Sequence, residues 1–212
     1  MTTTTIIDSV VDWAQKAICD NILLKLPDDD ANDGNYPGKR INPTAFPMFV
    51  PAKDRLAPHV TAPIPSLCVQ IKEGKDTLTN GRRTLKMRFS LATWNPGKHG
   101  TEVMEPQEDV TKIGGHSYKR HSDPEAVAQY TRNMDGWRDL WNFADKTLQA
   151  IEGTEFIAGL RLVKEGDDGI SYGPFVEEGA IWDYYPYWFL WIDFSLECGT
   201  VHKDPEIYKN LL

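Results

Sequence analysis

The segment from Tyr184 to Cys198 limits what this chain can fold into more than any other. Aromatics stand at Tyr184, Tyr185, Tyr187, Trp188, Phe189, Trp191 and Phe194. The run is too short to span a bilayer as a helix and too rich in β-formers to favour one. It reads as a strand entered at Pro186. Trp188, Leu190, Ile192, Phe194 and Leu196 face a core, and Tyr187, Phe189, Trp191 and Asp193 share the opposite face. One apolar face is ordinary for a sheet. Two faces rich in aromatics, one of them carrying a carboxylate, call for cover on both sides, from the chain itself or from neighbouring subunits.

A chain of 212 residues can bury such a strand in one sizeable domain. Hydrophobic residues make up 41% and the mean hydropathy is -0.45, as in soluble globular proteins. The formal net charge of -8 argues against gripping nucleic acid through its phosphates, while leaving a surface past which DNA slides. Cys19, Cys68 and Cys198 are too few and too scattered for a disulfide framework or a CxxC zinc site, and read as free thiols in a reducing compartment. Nothing resembles a leader or a membrane span, so a cytoplasmic site of synthesis is expected.

The rest of the chain supplies partners for the aromatic strand. Thr5, with Asp8 three residues on, suggests a capping box. Behind it Ile7, Val10, Val11, Ala14, Ala17, Ile18 and Ile22 predict an amphipathic helix closed by Pro27. Residues 27–65 hold eight prolines among apolar pieces such as Phe46, Met48 and Phe49, and read as an extended arm that packs on something. Leu67, Val69 and Ile71, a turn at Asn80-Gly81, and Leu85, Met87, Phe89 and Leu91 predict a hairpin that runs out at Trp94. A polar excursion over 95–133 contains His99, His116 and His121, with a short helix opening at Ser122-Asp123-Pro124.

A second helix begins at Gly136, with Trp137, Leu140, Trp141, Ala144, Leu148 and Ile151 on its buried side and Gly153 at its end. Residues 156–163 predict a third strand, 164–183 a loop, and 199–212 a C-terminal arm. The expected architecture is therefore α+β: one domain over 1–198, with a small mixed or antiparallel sheet of about four strands. An N-terminal helix and a helix after the second strand flank that sheet, and long arms extend from it.

Motifs for chemistry fail on inspection. The acidic run starting at Asp28 resembles a calcium loop, but its sixth position is Asp33 rather than Gly and its twelfth is Lys39 rather than Glu. Gly34 to Lys39 is one residue short of a phosphate loop, and Arg40 stands where Ser or Thr would hold magnesium. His116, His121 and Asp123 have no recognised ligand spacing and read first as a polar loop. No nucleophile elbow or Cys–His pair is present, so the expectation is a protein without catalytic residues, cofactor or metal.

Three segments together resemble a family. They are the strand pair over Pro65 to Lys72 and Thr84 to Asn95, the helix opening Gly136-Trp137-Arg138-Asp139-Leu140-Trp141-Asn142, and the ending Tyr185-Pro186-Tyr187-Trp188-Phe189. They are similar to the phage tail terminator proteins, whose helix opens with a G-(Y/W)-x-D-(L/V)-x-N pattern. The resemblance runs from Ile6 to Cys198, is interrupted at the two excursions, and rests on structural rather than catalytic motifs.

It implies a virion structural protein that forms a ring, hexameric in the family. The ring would cap the head-proximal end of the tail tube, stop polymerisation and join the tail to the neck. The implied partners are further copies of the chain, the tube protein, the neck connector and, in a contractile tail, the sheath. DNA would pass through the lumen without specific binding. On that reading Phe46, Met48, Phe49, Trp94, His116, Tyr184 and Tyr185 are candidate interface residues, while Gly136, Trp137, Trp141 and Trp188 are structural anchors. The alternatives are another neck or baseplate adaptor ring, or a small metal-binding enzyme using His116 and His121.

Overall fold

The computed structural model describes residues 2–27, 39–77, 79–95, 136–164 and 169–199, together with the backbone of 103–108 and 116–121. It is an α+β fold. In chain order come α1 (Thr3–Ala17), β1 (Leu24–Lys25), β2 (Arg40–Ile41), β3 (Thr44–Pro47), β4 (Ser66–Thr77) and β5 (Arg82–Trp94). Then follow β6 (Val103–Glu108), β7 (His116–His121), α2 (Trp137–Glu152), β8 (Phe156–Ile157), β9 (Leu160–Leu162), β10 (Ser171–Pro174), β11 (Val176–Glu177), β12 (Ala180–Ile181) and β13 (Tyr187–Gly199).

The aromatic segment becomes β13, the middle of a seven-stranded sheet rather than a four-stranded one. The strand order is β3-β4-β5-β13-β9-β8, with β10 also on β13. One side of β13 pairs antiparallel with β5 along its whole length. The other side is shared, Leu190–Asp193 pairing with β10 and Leu196–Glu197 with β9. Both rows of its backbone groups are therefore engaged.

Side-chain parity follows the alternation expected from the sequence. Leu190, Ile192, Phe194 and Leu196 join Leu67, Val69, Leu85, Met87, Phe89 and Leu91 in one buried face. Helix α1 lays Ile6, Val10 and Ala14 on that face, and α2 adds Leu140, Phe143, Ala144, Leu148 and Ile151. Phe89 lies at the centre, stacked near Trp13 (centroids 6.5 Å apart) and edge-on to Phe194 (4.8 Å).

Several local expectations need correction. Helix α1 starts two residues before Thr5, because the Thr2 side chain accepts the Thr5 N–H as N-cap. The helix also ends at Ala17, well ahead of Pro27. The segment read as a third strand folds back on itself. Ala158 and Gly159 both take positive φ (53° and 80°) and make a two-residue turn between β8 and β9. The segment read as a loop contributes β10 to the main sheet, and a second tight turn at Glu178-Gly179 joins β11 to β12.

Much of the proline-rich stretch is not an outlying arm: β3 is an edge strand, parallel to β4. Its outward Ala45 N–H is taken by Gln15 Oε1, and Pro47 has no N–H to offer. In the excursion, β6 and β7 form an antiparallel hairpin. The helix expected at Asp123, the acidic run from Asp28 and the arm over 200–212 lie outside the described residues.

Candidate assembly interface

The second face of the sheet, opposite the helices, holds the unusual chemistry. Asp193 and Arg88 are cross-strand partners on β13 and β5. Arg88 Nε and Nη2 donate to the two Asp193 oxygens at 2.7 and 2.9 Å, and Lys72 Nζ donates at 2.7 Å. The guanidinium lies between two rings, 4.9 Å from the Trp191 centroid and 5.9 Å from that of Phe175. Burial pushes the Asp193 carboxyl up, but the hydrogen bonds and charges of Arg88 and Lys72 outweigh it and hold the group below the usual carboxylate range. Alongside, Ser90 Oγ donates to Gln70 Oε1, and Gln70 Nε2 donates to the Met48 carbonyl. Asp193, Arg88, Lys72, Ser90 and Gln70 are thus tied from strand to strand.

This cluster makes a pH prediction. The folded-state carboxyl value lies below the unfolded one, about 3.9. Its stabilisation is therefore complete at neutral pH and vanishes as pH falls through the folded value. Asp193→Asn is expected to cost about 1–2 kcal/mol at pH 7 and to flatten the acid limb of the stability curve below about pH 4. Urea unfolding across pH 3 to 7 checks it; parallel curves for the two proteins would refute it.

An aromatic chain caps the cluster. Phe175 stacks on Trp182 (5.1 Å), Trp182 meets Tyr184 edge-on (5.6 Å), and Tyr184 meets Phe189 (6.0 Å). Trp191 Nε1 donates to the Pro174 carbonyl. The outer surface of this cap stays apolar and exposed: Ile181 is 65%, Val176 55% and Tyr184 55% accessible. Across the sheet a second apolar corner follows β3, where Phe49 is 70% exposed beside the exposed Met48.

The candidate residues thus divide. Met48, Phe49 and Tyr184 are available to a neighbour. Phe46 and Trp94 are only 7% and 6% exposed, so their side chains are spent inside the fold, which corrects their reading as interface. Tyr185 is half-buried against Trp188. His116 and His121 sit at the two ends of β7, opposite Glu108 and Val103. Five steps of extended chain put their backbones roughly 16 Å apart, too far for both to ligate one metal ion. Among the described residues no three His, Cys, Asp or Glu side chains gather around a metal-sized point. Burial pushes the Cys19 and Cys68 thiols up to about 12 and about 11, which leaves them unreactive at neutral pH. The cap around Phe175 and Trp182 lies in the segment expected to be a loop, and its one signal in the sequence is the aromatic content of 172–184.

The anchors behave less uniformly than expected. Trp188 Nε1 donates to the Asn95 carbonyl at 2.9 Å, and Trp141 packs edge-on to Tyr172. Trp137, by contrast, is 40% exposed, with Arg138 over its ring, and does not anchor α2 on the sheet. Gly136 has ordinary helical angles (φ -56°, ψ -29°), so no special turn requires it. It is needed because a Cβ there would stand 1.9 Å from the Asn95 carbonyl oxygen.

Asn95 itself is a junction. Its N–H donates to the Pro186 carbonyl, Nδ2 donates to Asp139 Oδ2 at 2.7 Å, and Oδ1 accepts from Lys25 Nζ at 2.9 Å. Burial pulls the Lys25 ammonium below the usual lysine range, against the opposing charge of Asp139. Set beside known proteins, the chain matches no family model and no curated protein.

Proposed function

We propose that this protein is a virion structural component, a ring-forming tail terminator that caps the head-proximal end of a phage tail tube and joins it to the neck. The observation that carries the reading is the pair of exposed apolar surfaces, one at Phe49 in the bend that follows edge strand β3 and one at Val176, Ile181 and Tyr184 on and after the β11–β12 hairpin. Lone exposed apolar residues are common, but clustered ones on rigid elements mark a docking surface. The helix-opening pattern at Gly136 and the aromatic final strand add the family resemblance. A net charge of -8 suits a ring through which DNA passes without sticking. The partners would be further copies of the chain, in a hexamer, the tube protein below and the connector above. No helix among the described residues is long and apolar enough to cross a membrane.

The test is solution mass by light scattering, followed by negative-stain imaging with purified tube protein. A ring, free or bound at one end of tubes, is the expected result. A compact monomer that never binds tubes would overturn the reading, and a ring that binds only the distal end would make it a baseplate adaptor.

A further inference from the structure

The two exposed apolar surfaces lie in different parts of the fold, one after an edge strand of the main sheet and one on a separate two-stranded hairpin, and the charged residues next to them in the chain differ in sign. The first follows edge strand β3, three strands from β13; the second belongs to the segment entered through β10 on the far side of β13. The first is held rigidly. Met48 N–H donates to the Val69 carbonyl at 2.8 Å, and the Met48 carbonyl accepts from Gln70. The second is a closed hairpin, its base tied by the Trp182 N–H to the Phe175 carbonyl at 3.0 Å. Four residues after Phe49 the chain turns through Lys53–Arg55, whose two exposed cations flank one Asp. The hairpin carries Glu177 and Glu178 at its tip and Asp183 just after it, with no cation over 175–184. A patch repelled by a copy of itself and attracted by a different patch joins subunits head to tail, the geometry that closes rings rather than pairs.

We infer that one junction links successive copies of this chain, the Phe49 corner of one copy seating on the Val176–Ile181 hairpin face of the next. The inference rests on the ring reading above and assigns its two mating surfaces. Both are pre-ordered, so little entropy is lost on docking.

Complementing half-sites test it. Phe49→Asp spoils one surface and Ile181→Asp the other, and both positions are exposed enough for the fold to persist, as circular dichroism would verify. Each variant alone is expected to be monomeric by light scattering. Mixed in equal amounts they should form a 1:1 dimer and stop, because each pair retains one intact junction. A reversal of charge supplies an independent arm: Lys53→Glu with Arg55→Glu should weaken the ring at least tenfold in midpoint concentration, and adding Glu177→Lys with Glu178→Lys should restore it.

If wild-type protein forms rings while the mixture stays monomeric, the surfaces do not face each other and the inference falls, with the ring reading intact. Rings from either single Asp variant overturn it equally. Wild-type protein that remains monomeric alone and with tubes removes both.

Discussion

Gly136→Ala is expected to destabilise the protein by about 3 kcal/mol or more, although the position opens a helix and has helical angles. Gly136 is the N-cap of α2, where glycine is already preferred to alanine. Sterics add the larger part of the loss. The added methyl would lie 1.9 Å from the Asn95 carbonyl oxygen and 2.8 Å from Trp188 Nε1, closer than atoms can approach. Relief requires moving either the start of α2 or Asn95, and Asn95 bonds to Lys25, Asp139, Trp188 and Pro186 at once. Groups left buried without partners then add their desolvation cost. Urea unfolding followed by tryptophan fluorescence measures the loss. Gly173→Ala is the control, because its added methyl meets Trp191 at an ordinary 3.6 Å. A neutral or stabilising Gly136→Ala would refute the close approach.

Phe89→Ala is expected to cost about 3–5 kcal/mol, the range for deleting a large aromatic from a core that cannot collapse. The ring is fully buried and touches three elements: Trp13 on α1, Phe194 on β13, and its own strand β5. Phe89→Leu fills most of the space and should cost less than half as much. Equal losses for the two variants would mean that the site relaxes around either residue and that Phe89 is not the centre of the core.

What was legible in the sequence was whatever repeats along it. The parity of β4, β5 and β13 followed from alternation, because one buried face fixes register over many residues. The stripe of α2 was equally plain, except at Trp137, where apolar character alone could not show that the ring faces outward. Short elements were missed because each depends on a single turn. Ala158-Gly159 and Glu178-Gly179 are two-residue turns with both residues at positive φ, and in each an ordinary side chain at the first position hides the signal that Asn or Asp would have given. The proline-rich stretch misled in another way. Prolines argue against a central strand, yet β3 is an edge strand, where Pro47 blocks further pairing instead of breaking the sheet.

The site was legible only in part. Asp193 stands out in the sequence as a carboxylate among aromatics, which calls for cover on its face. Its cations, Arg88 and Lys72, lie more than a hundred residues away, and only the pairing of β4, β5 and β13 brings them together. Phe46 is buried within β3, whereas Phe49 is exposed because the chain bends after Pro47, where Met48 takes positive φ (62°), a break that the residues around it do not signal.

Gly136 lies directly against the Asn95 carbonyl. The domain leaves its fifth strand and enters its second helix at neighbouring atoms, so the ends of the connection between them already meet. To the core, such an insertion is a loop whose ends are already joined, and each doubling of its length adds only about 0.6 kcal/mol of closure entropy. Added length between those two points therefore costs the frame little in closure entropy, and a protein built this way can acquire new neighbours while keeping its frame.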